Sequence, residues 1–220
     1  MEIKAVIFDM DGLMLDTEKL LIRFWCEAAR EMGYPMEREH ALALRSFAGK
    51  FAAPKLKEWF GEDCDYKKIR ARRIELMNAY IKDHPTEKKA GLDELLDYLN
   101  QNGYRTAVAT ATDVDRAREY LVPAGVYDKF EKIICGNMIA NGKPCPDIYL
   151  YACEQLGLPP ENCMALEDSP NGVASASSAG CVTVMVPDLT PPEKEQLGKV
   201  YTVCESLDKV IEVLEKIRNK

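Results

Sequence analysis

Residues 3–18 read Ile3-Lys4-Ala5-Val6-Ile7-Phe8-Asp9-Met10-Asp11-Gly12-Leu13-Met14-Leu15-Asp16-Thr17-Glu18. The short run from Ile3 to Phe8 is rich in β-branched residues and predicts a buried strand. It stops abruptly on two aspartates spaced i, i+2, with a glycine directly behind them. Side chains alternate along a strand, so Asp9 and Asp11 leave its end on the same side. Neighbouring carboxylates repel unless a cation sits between them or one keeps a proton. The pattern is costly as scaffolding and useful for divalent-metal chemistry on phosphate. Taken alone, however, Asp-x-Asp-Gly after a strand also serves as a simple turn.

The periodicity then changes. Leu20, Leu21, Phe24, Trp25, Ala28, Ala29 and Met32 recur at helical spacing between Thr17 and Gly33, with Pro35 beyond the stop. Helical patterns continue over 37–47, 55–60 and 66–82 without a strand among them. From Gly91 helices and strands alternate: helices at 92–102, 114–122, 146–156, 170–179 and 207–218, strands at 106–109, 132–135, 163–166 and 182–186. Repeated strand-helix units with apolar strands predict a parallel sheet covered on both faces, with right-handed crossovers. Ligands bind such sheets beyond the carboxyl ends of the strands. The expected fold class is α/β, a Rossmann-like parallel-sheet core interrupted after its first strand by an all-helical insertion.

Composition narrows the function classes. A formal charge of −7 over 220 residues argues against a nucleic-acid partner. No long apolar run calls for a membrane partner, and no secretory signal is expected at the N-terminus, so the default location is cytoplasmic. The eight cysteines lack Cys-x-x-Cys spacing, and only His40 and His84 stand beside them, which disfavours zinc. Cysteines inside apolar runs, such as Cys135 and Cys163, read as reduced, buried small hydrophobes.

Chemistry-bearing residues do gather at strand ends. The first strand ends in Asp9 and Asp11, the second in Thr110-Ala111-Thr112-Asp113, the loop after the third carries Lys143-Pro144, and the fourth ends in Glu167-Asp168-Ser169. Each has a plain alternative: Thr110 suits a strand, Lys143 a solvated loop, and Glu167-Asp168 the cap of a helix that starts at Pro170. All four sit where the fold rule places a site.

The segments 9–18, Ala109-Thr110-Ala111-Thr112, Gly142-Lys143-Pro144-Cys145-Pro146-Asp147-Ile148-Tyr149 and Glu167-Asp168-Ser169-Pro170-Asn171-Gly172-Val173 resemble the four motifs of the haloacid dehalogenase superfamily. The nearest branch is its capped phosphatases and β-phosphoglucomutases. The resemblance implies a catalytic core of 1–15 and 88–220 and a helical cap of 16–87. It implies a phosphoric monoester hydrolase in which Asp9 is the nucleophile, forming an aspartyl phosphate. Asp11 would be general acid, then general base. Asp9, the backbone carbonyl of Asp11, and Asp168 would hold Mg²⁺, with Glu167 as a ligand of metal-bound water or a support. Thr110 and backbone N–H groups beside it, at Ala111, would hold the phosphoryl oxygens, and Lys143 would neutralise nucleophile and phosphoryl group.

The implied partner is a small phosphorylated metabolite, a sugar phosphate or nucleoside monophosphate, handled by a monomer or weak oligomer. The alternative is a β-phosphoglucomutase-like isomerase, which must grip a bisphosphate. Against it, Leu21 stands where that group has a histidine, and the loop 47–53 lacks an arginine, so a second phosphate has no expected anchor. A non-enzymatic phosphoacceptor resembling a response-regulator receiver would lack both the Asp-x-Asp spacing and the insertion. A dinucleotide fold is disfavoured because no Gly-x-Gly-x-x-Gly follows a strand. Arg45 and Lys50, near the cap loop Ala48-Gly49, are the charged candidates for substrate binding, although a solvated surface position is the plainer reading of each.

Overall fold

A computed structural model describes residues 2–219. Six strands form one parallel sheet: β1 (Ala5–Phe8), β2 (Arg105–Thr110), β3 (Lys132–Cys135), β4 (Cys163–Glu167), β5 (Val182–Met185) and β6 (Thr202–Val203). Their order is β3-β2-β1-β4-β5-β6. The order reverses between β1 and β4, which opens a crevice at their carboxyl ends. Asp9 follows β1 directly, and Glu167 closes β4.

The strands are apolar on both faces because both are covered. Val6, Phe8, Met164 and Leu166 point into one core, while Ala5, Ile7, Cys163 and Ala165 point into the other. The first is closed by α5 (Leu92–Gln101), α6 (Val114–Leu121) and α10 (Lys209–Arg218), the second by α7 (Asp147–Gln155) and α8 (Pro170–Ser178). Burying each large aliphatic side chain of these layers contributes about 1.5–3 kcal/mol. The short helix α9 (Lys194–Leu197) precedes β6.

Between β1 and α5 lie four helices, α1 (Glu18–Glu31), α2 (Arg38–Ala43), α3 (Gly49–Phe60) and α4 (Tyr66–Asp83). Their own core joins Ile22, Cys26, Met36, Leu44, Leu56 and Ile69. The α/β class with an all-helical insertion is therefore observed. Two local expectations change. The helix expected over 37–47 ends at Ala43, and the chain turns at Ser46, whose φ is +57°. The next helix starts at Gly49 rather than near Lys55 and runs through Pro54. All eight cysteines are free thiols. Among the described residues no helix is long and apolar enough to cross a membrane.

Candidate active site

The end of β1 delivers Asp9 into the crevice almost wholly buried, and a lysine from the loop after β3 meets it there. Nζ of Lys143 lies 2.5 Å from Oδ1 of Asp9 and 2.5 Å from Oε1 of Glu167. The same Oε1 accepts the Tyr149 hydroxyl at 2.6 Å, and the Lys143 ammonium sits over that ring, 5.3 Å from its centre. Burial works against the lysine's charge, but two carboxylates outweigh it and raise its pKa above the ordinary value. Tyr149 is likewise raised, by burial first and then by Glu167, and so stays a neutral donor.

One lysine serves two acids, so neither is fully compensated. Burial, with a further push from Glu167, raises Asp9 to about 7 despite Lys143. Asp168 is raised well above the carboxylate range by burial, then by Glu18 and Asp9. Both Asp168 oxygens and Oδ2 of Asp9 are buried without a hydrogen-bond partner. Carboxylate oxygens of Asp9, Glu167 and Asp168 lie within 4.8 Å of one another. Orphaned, hard, anionic oxygens at this spacing suit a small divalent cation. Glu167 contributes least to that need, because Oε1 is already shared by Lys143 and Tyr149.

Asp11 is placed differently. Its Oδ1 accepts the Thr17 hydroxyl at 2.7 Å and its Oδ2 the Thr112 hydroxyl at 2.9 Å. Its carboxylate is thus positioned by two hydroxyls rather than by the lysine. Gly12 behind it has φ +85°, and a Cβ there would stand 2.6 Å from both Asp168 Oδ2 and Glu18 Cγ. Only glycine supplies that backbone and that clearance. At the start of α8, a Cβ on Gly172 would overlap the Glu167 carboxylate at about 1.9 Å. The glycines let the acids pack against turning backbone.

Thr110 is buried, with its hydroxyl accepting the Thr112 N–H at 3.1 Å, while Ala111 and Thr112 reach the cavity surface. That cavity, about 580 Å³, is lined by Asp9, Asp11, Arg45, Ala111 and Lys143 together with residues of α1, α3 and α4. Leu21 is one of them, as an apolar wall.

The two cap candidates part company. Arg45 is no solvated surface charge: it is buried, donates to Thr190 Oγ1 at 2.6 Å and lies 3.7 Å from Asp168 Oδ2. Lys50 does not line the cavity. Because α3 starts at Gly49, Lys50 stays exposed, where it binds Asn141 Oδ1 and covers the Phe51 ring. The loop 47–53 has no arginine, yet Arg70, Arg73 and Arg116 line the same cavity from other helices.

Sequence reasoning passed over Thr17, Glu18, Thr112, Tyr149 and these three arginines. Glu18 is buried beside Asp168 and raised to about 8, by burial and then by Asp11. A visible signal existed for Glu18 and Thr17, which fall within the first quoted segment. Arg73 gave one too, since it occupies an inward position of α4.

Known proteins resemble this chain over most of its length. The chain is 36% identical over 198 residues to protein CbbY of Rhodobacter capsulatus, covering 85% of this chain and 86% of that one. It is 30% identical over 181 residues to the phosphorylated carbohydrates phosphatase of Thermotoga maritima, covering 80% and 82%. The crystal structure of CbbY from Rhodobacter sphaeroides in complex with phosphate superposes with a TM-score of 0.79 at 29% identity, over 94% of this chain and 96% of that one. A family model for haloacid dehalogenase-like hydrolases matches residues 3–180, and the chain belongs to that family.

Proposed function

We propose that this hydrolase is a Mg²⁺-dependent phosphatase that cleaves a small phosphorylated metabolite, a sugar phosphate foremost, through an aspartyl phosphate on Asp9. The observation that carries the reading is the divided state of Asp9: Lys143 holds one oxygen, the other has no hydrogen-bond partner, and carboxylate oxygens of Asp9, Glu167 and Asp168 lie within 4.8 Å of one another. The Thermotoga maritima relative, a phosphorylated carbohydrates phosphatase, supports a carbohydrate phosphate as substrate.

Asp9 attacks phosphorus, and the bond to the ester oxygen breaks as the Asp9–phosphorus bond forms. Asp11 gives its proton to the leaving alkoxide, then takes one from the water that attacks the phosphoryl group and frees Asp9. Thr17 and Thr112 hold Asp11 in line for both transfers. Thr110 and the N–H group of Ala111 bind phosphoryl oxygens, while Lys143 offsets charge on the reacting group. Asp9, Asp168 and the Asp11 carbonyl would hold Mg²⁺, which supplies charge neutralisation at the phosphate when bound. Glu167 and Tyr149 fix the lysine.

The test is inorganic phosphate release across a panel of sugar phosphates and nucleoside monophosphates, with Mg²⁺ and with excess chelator. Sugar phosphates should be hydrolysed with Mg²⁺ only. Hydrolysis of none of the panel, or full activity in chelator, would refute the reading.

A further inference from the structure

Three cysteines from three separate elements meet at the amino edge of the sheet. Cys153 lies near the end of α7, Cys163 opens β4, and Cys181 stands in the turn between α8 and β5. All three belong to the core layer that α7 and α8 close. Sγ of Cys153 and Sγ of Cys181 are 3.8 Å apart, although 28 positions separate them along the chain. Glu167 ends the strand that Cys163 begins, so this cluster sits at the far end of β4 from the buried acids.

The three thiols are not alike. Cys163 is fully buried and Cys153 is 2% exposed, whereas Cys181 is 8% exposed. Exposed Gly180, with φ +85°, turns the chain just before it. A small solute therefore reaches the Cys181 sulfur first. A hydrogen bond with Cys163 favours a thiolate at Cys153, but the contact with Cys181 and burial outweigh it and push Cys153 up to about 12. The bond to Cys153, then burial, keeps Cys163 protonated. At rest the cluster holds neutral thiols at Cys153 and Cys163, which react slowly. Cys163 is placed to donate its S–H as charge develops on Cys153.

We propose that Cys153 and Cys181 are a disulfide site of the folded protein, oxidised by hydrogen peroxide that enters at Cys181. The Cys181 sulfur attacks one peroxide oxygen and the O–O bond breaks. The departing hydroxide takes the thiol proton and leaves as water, with a sulfenic acid remaining on Cys181. The Cys153 sulfur attacks that sulfenic sulfur, and the S–O bond breaks as the S–S bond forms. The second hydroxide leaves as water with the Cys153 proton. Two thiols give up two electrons and one peroxide takes both. The sulfurs need to close by only about 2 Å, a movement that two side chains share. The bond ties α7 to the start of β5 and closes the loop from 153 to 181, which restricts the unfolded chain more than the folded one.

The test reads the covalent state directly. The full chain is treated with a few-fold molar excess of hydrogen peroxide, and remaining thiols are alkylated in denaturant. Cleavage after glutamate and before aspartate puts Cys153, Cys163 and Cys181 on separate fragments, 147–154, 162–167 and 168–187. Mass spectrometry should find the first and third linked, lighter by two hydrogens, in more than half of the molecules, with Cys163 alkylated. Dithiothreitol should separate them. In Cys153→Ala, dimedone should trap a sulfenic acid on Cys181, while in Cys181→Ala the Cys153 thiol should stay reduced. The bridged protein should unfold at a higher urea concentration than the reduced protein, and peroxide should give Cys181→Ala no such increase. No linked pair in the native wild-type protein, or a link from Cys181 to Cys145 or Cys163 instead, overturns the site. Unfolding of the bridged protein at lower urea overturns the claim that the native packing accommodates the bond.

Discussion

Lys143 divides the Asp9 carboxylate into two unlike oxygens. Oδ1 lies 2.5 Å from its ammonium, and Oδ2 has no partner. A carboxylate held by one oxygen and free at the other is fixed in direction without being consumed by its counter-ion. The first two predictions test the two halves of that pair.

Asp9→Asn should abolish phosphate release, lowering kcat by ~10⁴-fold or more, because an amide cannot form the acyl phosphate. The fold should persist, since the change is nearly isosteric and removes one of several crowded buried charges. Single-turnover assays with radiolabelled substrate, alongside circular dichroism, decide the matter. Turnover near the wild-type rate would exclude Asp9 as nucleophile.

Lys143→Met leaves Asp9 and Glu167 buried without their shared cation. Removing one member of a buried ion pair costs about 3–5 kcal/mol, so metal-free unfolding free energy at pH 7.5 should fall by roughly that amount. At pH 5 the loss should shrink, because Asp9, raised to about 7 by burial, is then protonated and needs no counter-charge. Urea titrations at both pH values measure it, and an equal loss at each would show that packing, not charge, is what the lysine supplies.

Buried acids also set the response of the metal-free protein to pH. Burial lifts Asp9 from 3.8 to about 7 and Glu18 from 4.5 to about 8. The folded chain therefore keeps protons that the unfolded chain has released, and stability falls as pH rises from about 4 to 8. With chelator present, the melting temperature should drop between pH 5 and pH 8. Mg²⁺ should restore most of it at pH 8 and little at pH 5, where protons compete for the same oxygens. A melting temperature that rises with pH in chelator would contradict these pKa directions.

Product analysis distinguishes phosphatase from mutase. β-Glucose 1-phosphate, primed with catalytic glucose 1,6-bisphosphate, should give glucose and inorganic phosphate. The wall at Leu21 is a hydrocarbon with nothing to guide a sugar hydroxyl toward the phosphoryl group. Glucose 6-phosphate formed faster than free phosphate would establish the mutase.

The sheet was legible because its strands obey one simple demand, burial on both faces, and because carboxylates cannot end a buried strand without consequence. Asp9, Thr110, Lys143 and Asp168 converge for that reason. β6 was not legible: Thr202–Val203 is two residues long, and only its pairing with β5 at Val184 and Met185 makes it a strand. The start of α3 at Gly49 was hidden by Pro54, whose missing donor argues locally against a helix that packing of Ala52 and Leu56 sustains. Arg73 was hidden by its neighbours. In Lys67-Lys68-Ile69-Arg70-Ala71-Arg72-Arg73 every cation suits a solvated face, and only the four-residue step from Ile69 to Met77 marks one as inward. Arg72, one position earlier, does face water and pairs with Glu31 and Glu75.

The insertion also touches the catalytic loop by its backbone. The N–H of Ala48 donates to the carbonyl oxygen of Lys143 at 3.1 Å, and a Cβ on Gly142 would stand 2.7 Å from Ala48 Cβ. One backbone hydrogen bond thus couples the insertion to the loop that presents the counter-ion of Asp9, while Glu167 and Tyr149 keep hold of the lysine side chain from the core.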